Sequence, residues 1–403
     1  MSLRKDSPEE PLTSYGAERV ATFTESVIRD MTRLARAHDA VNLAQGFPDF
    51  PAPEEVKEAA VAAIRADVNQ YPITWGAPDF RQAIAASYSA RGWADIDPER
   101  EITVMCGSTE AMAAAFLALI DPGSEVVLFE PFYENYGPDA RLAGSVVRTV
   151  ALNPPDWTFD PDALRAAIGG RTRAIVVNTP HNPTGKVFAG EELELIASLC
   201  IEHDLLAFTD EIYEQIVYDG ATHHFLAQLP GMAERTVTIS ALSKTYSVTG
   251  WRVGWAIATP GLGGPIRKVH DFLTVAAPAP LQAAGIVALG LPASFYRQLR
   301  AEYQERRDRL CDLLERAGFT VSRPAGAYYV IAGISDHLAR HGLVDDRAFA
   351  QWLVEEIGVA GVPGSSFYAR PELGAEQLRF AFPKRLPTLD EAGRRLERLA
   401  ARD

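Results

Sequence analysis

The chain has 403 residues, 47% of them hydrophobic and 23% charged. That balance is ordinary for a soluble globular protein, and at about 150 residues per domain it fits one large and one smaller unit; it excludes a disordered, fibrous or coiled-coil chain. Against 53 Asp and Glu stand 39 Lys and Arg, a formal charge of −14 with no basic run of the kind nucleic-acid binding needs.

In chain order, residues 1–13 read as a loose polar arm. Arg4, Lys5, Asp6, Glu9 and Glu10 leave no apolar core there for a signal peptide. Helices are predicted from Ala21 to Ala37 and from Ala52 to Ala66, the second opened by Pro-Ala-Pro-Glu-Glu. From about residue 100 the pattern alternates. Apolar strands are predicted at Ile102 to Cys106, Glu125 to Phe129, Arg173 to Asn178, Leu205 to Thr209, Thr236 to Ser240 and Val253 to Ala258. Helices at Ala111 to Ile120 and Glu191 to His203 fall between them. Strands this uniformly apolar are buried on both faces, which predicts a mostly parallel sheet covered by helices. The uncharged stretch from Leu273 to Phe295 carries Pro278, Pro280 and Pro292, and reads as buried irregular structure rather than a membrane span. From Ser294 to Arg316 the period is helical and charged. Short strands at Thr320 to Val321 and Tyr328 to Ile331 follow, then a helix at Asp346 to Glu356, a strand near Leu378 to Phe382 and a helix from Thr388. The expected division is an arm and helix over 1–45 that joins the tail, a large unit over 46–295 and a small α+β unit over 296–403.

Ligands of open α/β sheets sit outside the carboxyl ends of the strands. The polar residues there are Gly107-Ser108-Thr109, the segment Asn178 to Asn182, Asp210 with Tyr213, and Ser240 to Lys244. The first is a strand-to-helix turn able to hold an anion, though Ser or Thr at such a place is often only a helix cap. Asp210 and Tyr213 read equally as a cap with a core tyrosine, or as a buried carboxylate and a phenol serving a ring. Only six lysines are present. Lys5 is in the arm, Lys57 and Lys268 are in polar helical stretches, Lys186 follows a turn, and Lys384 sits beside Arg385 in a polar loop. Lys244 lies between two apolar strands among small and aromatic residues. That is the setting that lowers an amine from about 10.4 toward the 7–8 range a base needs.

Ser243-Lys244 through Arg252-Val253-Gly254 resembles the lysine signature of class I/II pyridoxal-phosphate aminotransferases of fold type I. Gly107-Ser108-Thr109-Glu110-Ala111, Glu130-Pro131-Phe132-Tyr133, Asn178-Thr179-Pro180-His181-Asn182-Pro183-Thr184-Gly185, Thr209-Asp210-Glu211-Ile212-Tyr213 and Leu378-Arg379-Phe380 match it in order. The resemblance runs from about Arg19 to the end. It implies a large domain with a mostly parallel seven-stranded sheet, a smaller α+β domain, and pyridoxal 5′-phosphate as cofactor. It implies an internal aldimine at Lys244, which then moves the proton at the substrate's Cα. Asp210 would pair with the pyridine nitrogen, Tyr213 and Asn182 with the ring oxygen, and Tyr133 would stack on the ring. Ser108, Thr109 and Arg252 would hold the phosphate. Tyr71 would reach the neighbouring subunit's phosphate, which implies a homodimer with shared active sites. Arg379 would clamp the substrate carboxylate, with Gly46 in Gln45-Gly46-Phe47-Pro48-Asp49-Phe50 bringing backbone close. One departure is Ala241, three residues before the lysine, where a hydroxyl is usual; Ser243 or Ser240 is left to replace it.

Other signals do not develop. Gly261-Leu262-Gly263-Gly264 does not complete a dinucleotide turn, His337 and His341 lack the glutamate of a zincin, and no metal site is expected. The three cysteines, Cys106, Cys200 and Cys311, form no CxxC or disulfide framework, so a cytoplasmic, reducing setting is expected, with no membrane or nucleic-acid partner. Within the resembled family, the motifs look most like the kynurenine, glutamine, methionine and aromatic group. The substrates implied are an L-amino acid and a 2-oxo acid. Aspartate transamination and β-elimination from cysteine conjugates are the alternatives on the same scaffold. A module that binds the cofactor without turnover is the reading from another class, and Lys244, Asp210, Tyr213 and Arg379 argue against it.

Overall fold

The computed structural model describes residues 16–21, 23 and 25–400, the last by its backbone alone. The predicted polar arm, residues 1–13, lies outside the described residues. An eight-stranded sheet forms the centre, in the order Ile102–Met105, Gly254–Ile257, Thr236–Ala241, Leu206–Asp210, Thr172–Asn178, Glu125–Glu130, Val146–Asn153 and Thr158–Phe159. The five strands from Thr236–Ala241 to Val146–Asn153 pair in parallel, and the first four carry the buried runs expected of such a sheet. Gly254–Ile257 runs antiparallel to both neighbours. The eighth strand is a two-residue antiparallel edge.

Apolar layers cover both faces. On one, the helix Ser108–Leu119 and Ile266 of the helix Pro260–Thr274 pack over Val126, Val176, Phe208 and Ile239. On the other, Leu193 and Ile196 of the helix Gly190–Glu202 meet Val127, Ile175 and Ala207. The C-terminal elements form a second, antiparallel sheet of Thr320–Val321, Tyr329–Gly333, Gln377–Ala381 and Val362–Pro363. Its core includes the helices Ala293–Arg316 and Leu386–Ala400. Val41–Asn42 pairs in parallel with Val359–Ala360, so the N-terminal segment packs with the C-terminal elements.

Three sequence readings need correction. The first long helix spans Val27–Ala37, not Ala21 onward. Val146–Asn153 was not expected as a strand; it carries alternating burial near the sheet edge rather than an apolar run. The stretch read as irregular contains the helix Ala279–Leu289. Pro278 stands at its N-cap and Pro280 in its first turn, where a missing N–H costs no intrahelical bond. No single helix among the described residues is long and apolar enough to cross a membrane.

Candidate active site

The parallel register sets Asn178 beside Asp210 at the carboxyl ends of neighbouring strands. The next strand ends at Ala241, so Ser243 and Lys244 follow at the same edge. Because Gly254–Ile257 is antiparallel, its start lies beside Ala241 and Met105. Arg252 therefore arrives from the opposite chain direction beside the turn Gly107-Ser108-Thr109. One cavity is lined by Ser108, Thr109, Tyr133, Asn182, Asp210, Tyr213, Lys244 and Arg252. A continuous outer cavity of about 450 Å³ adds Gly46 and Arg379. Ten of the eleven expected site residues thus meet in one chain. Tyr71 does not: it is 83% exposed and lines neither cavity.

Gly107 adopts φ +86°, and a Cβ there would lie 2.4 Å from Nη2 of Arg252. The turn thus needs glycine both for its backbone and for the guanidinium beside it. Arg252 donates to the Thr249 carbonyl at 3.0 Å and reaches Thr109 Oγ1 at 3.5 Å. Hydroxyls, a guanidinium and the first N–H groups of the helix Ser108–Leu119 make a donor set suited to a phosphate. Ser240 is turned away, donating to Glu214 at 3.2 Å. Ser243 lines the cavity, and its buried Oγ has no hydrogen-bond partner.

Asp210 is buried and accepts from Tyr136 Oη at 2.6 Å. Burial raises its pKa, opposed by the Tyr136 hydrogen bond. Lys244 is partly exposed through the cavity, its Nζ 5.8 Å and 5.5 Å from the ring centres of Tyr213 and Tyr328. Desolvation lowers its pKa; Tyr329 and Asp210 oppose that, while Arg252 and Arg379 add to it. Tyr213 shares a hydrogen bond with Tyr329 at 3.1 Å.

Arg379 is 1% exposed and stands over the rings of Tyr329 and Phe367. It donates to Asn182 Oδ1 and to the Ala44 carbonyl, both at 2.9 Å, while its Nε has no partner. A buried guanidinium left one donor short is prepared for an anion from outside the chain. Gly46 is hemmed in by the same group of side chains, since a Cβ there would come within 2.1 Å of Tyr329 Oη.

Sequence reasoning missed Tyr136 and Tyr329. Tyr136 follows Tyr133 by one turn, which sets their rings edge-on with centres 5.8 Å apart. Tyr329 had no local signal. The reading that left Lys244 as the one desolvated lysine is also corrected. Lys186 and Lys384 are 8% and 3% exposed, the first paired with Glu192 at 2.7 Å. One group of metal-type ligands exists among the described residues, Glu211, Glu214 and His223 behind the sheet edge. Arg91 pairs with Glu214 at 2.8 Å and His223 contacts Glu211 at 2.9 Å, so these groups are already engaged within the chain. His337 and His341 stack with each other 6.3 Å apart, in an aromatic layer with Phe349 and Trp352.

Residues 38–396 match the family model for class I and II aminotransferases. The solved N-succinyldiaminopimelate aminotransferase of Mycobacterium tuberculosis superposes with TM-score 0.91 at 42% identity, covering 95% of this chain and all of that one. YbdL of Escherichia coli, identified as having a methionine aminotransferase function, superposes with TM-score 0.90 at 33% identity over 96% of this chain and 100% of its own. Human kynurenine–oxoglutarate transaminase 1 is 37% identical over 398 residues, 92% of this chain and 94% of that one. The chain belongs to the class I and II aminotransferases. It is an aminotransferase of fold type I, dependent on pyridoxal phosphate.

Proposed function

We propose that the chain moves the amino group of an aromatic, glutamine, methionine or kynurenine-type L-amino acid to a 2-oxo acid. The observation that carries the reading is the buried Arg379, one donor unsatisfied, on a cavity wall shared with Lys244. Pyridoxal phosphate, when bound, supplies the sink for the negative charge left on the substrate's Cα. Lys244 would anchor the cofactor and would take and return the proton at that carbon. Asp210 keeps a proton on the ring nitrogen. Tyr213 and the amide of Asn182 would hold the ring oxygen, and Tyr133 would lie against the ring. Ser108, Thr109 and Arg252 hold the phosphate, and the unpartnered hydroxyl of Ser243 replaces the one missing at Ala241. Arg379 and the backbone at Gly46 take the substrate carboxylate.

The side-chain end of the substrate faces the outer cavity. Ile28, Phe47, Tyr133 and Tyr329 give it apolar walls, and Ser26, Arg29, Glu134 and Asn135 make it polar. Apolar walls with polar groups suit a long side chain carrying a polar or polarisable end. Arg29 favours a second reading, an amino acid with a remote carboxylate, like the N-succinyldiaminopimelate named for the mycobacterial relative. The test is a panel of phenylalanine, tyrosine, glutamine, methionine, kynurenine, N-succinyldiaminopimelate and aspartate with 2-oxoglutarate. We expect kcat/KM for one of the first five to exceed that for aspartate by at least about tenfold, a difference of about 1.4 kcal/mol in transition-state binding. Preference for N-succinyldiaminopimelate establishes the second reading. Preference for aspartate overturns both. Pyruvate and ammonia from a β-substituted alanine, without transfer, identifies elimination.

We also propose a cytoplasmic homodimer. Its three cysteines are unpaired. Tyr71, Phe272, Leu273 and Val275 are exposed at 83%, 91%, 49% and 43%, more apolar surface than isolated exposed residues explain. Tyr71 would then complete the neighbouring subunit's phosphate site. Light scattering is expected to give twice the 43.9 kDa of one chain, and a monomer that transaminates at full rate would exclude the shared site.

A further inference from the structure

The segment from Ala44 to Phe47 borders the outer cavity, and its four consecutive carbonyls all accept hydrogen bonds from C-terminal side chains. Arg379 donates to Ala44 at 2.9 Å and Tyr328 to Gly46 at 2.7 Å. Lys384 takes the other two, Gln45 at 3.3 Å and Phe47 at 2.8 Å. Its ammonium also stands 4.5 Å from the ring centre of Phe47. Lys384 is 3% exposed and forms no ion pair among the described residues. A cation held by carbonyls alone is costly to bury, so such a group is retained where its geometry matters. Arg379 projects from the middle of the strand Gln377–Ala381 and Lys384 lies three residues beyond its end, and both grip this one segment.

We propose that Lys384 is a positioning residue for the transamination. By holding the Gln45 and Phe47 carbonyls it fixes Gly46 where backbone and Arg379 meet the substrate carboxylate together. The inference rests on the carboxylate assignment made above. Burial pushes the Lys384 amine down to about 8, opposed by Asp49. The titratable or charged groups on the elements around it include Arg306, whose Nε donates to the Lys384 carbonyl at 3.0 Å and which pairs with Glu302 at 3.2 Å, Arg379, which grips the same segment, Arg385 next in the chain, and Tyr328.

The test compares the wild-type holoenzyme with Lys384→Met, Lys384→Arg and Arg379→Met. Lys384→Met is expected to raise KM for both amino acid and 2-oxo acid by about tenfold, the order expected for one charge-assisted hydrogen bond, with kcat within about threefold and cofactor absorbance unchanged. The ratio of its KM to the wild-type value is expected to shrink as pH rises through 8, where the wild-type amine loses its charge. Lys384→Arg keeps its charge at those pH values, so its KM is expected to rise less than that of the wild type. If the Met variant does not fold, the Arg comparison decides. Unchanged KM in Lys384→Met, or parallel pH courses for wild type and Lys384→Arg, overturns the role of Lys384 alone. Unchanged KM in Arg379→Met overturns the carboxylate assignment and this inference with it.

Discussion

Lys244→Ala is expected to abolish transamination, with a loss of at least about 10⁴-fold, the upper range of what a positioned acid–base group contributes. The side chain serves as covalent anchor and as proton carrier in the proposed reaction, so both functions go together. Absorbance from cofactor bound through a lysine should vanish, and borohydride should no longer fix the cofactor to the chain. The other two buried lysines cannot substitute. Lys186 is engaged with Glu192, and Lys384 is committed to backbone carbonyls at Gln45 and Phe47. Neither lines the cavity that holds Asp210. Retention of more than a tenth of the wild-type rate in Lys244→Ala would remove the anchor from this position.

The sequence exposed those parts of the site that depend on the chain's local pattern. Asp210 and Lys244 follow apolar strands whose direction and edge the sheet rules fix, so their meeting was predictable before any geometry. Arg379 was named only through resemblance; nothing in Leu378-Arg379-Phe380 says that its guanidinium is buried. Tyr136, Tyr329 and the orientation of Ser243 against Ser240 were not legible. Each depends on which way a side chain turns inside a packed interior. Lys384 was misread for a related reason. Beside Arg385 it looks solvated, and only a segment 337 residues earlier in the chain buries it. The prolines at the start of Ala279–Leu289 misled in the opposite sense, since the same residue breaks a helix inside and starts one at its first turn.

Asp210→Asn is expected to lower kcat by about 10²–10³-fold, the scale on which a preorganised electrostatic contact acts in a water-excluded site. The substitution keeps the shape of the side chain, and Tyr136 Oη can still donate to an amide oxygen in place of the carboxylate at 2.6 Å. What it removes is the negative charge facing the cavity. In the wild type burial disfavours that charge, and the Tyr136 hydroxyl, the Ile212 N–H and Lys244 oppose the effect of burial. Without that charge the ring nitrogen in the proposed reaction would have no anion to keep its proton, and negative charge at the substrate's Cα would lose much of its stabilisation. Tyr136→Phe separates the two contributions. It removes one hydrogen bond to a charged acceptor, about 1.5–3 kcal/mol, and is expected to cost about 10–100-fold while leaving the charge in place. The measurement is kcat with saturating cofactor, read with cofactor absorbance and melting temperature so that a loss of binding or folding is not mistaken for a loss of rate. An Asn variant within about fivefold of wild type, less than loss of such a contact allows, would show that Asp210 orders the strand end without serving the ring.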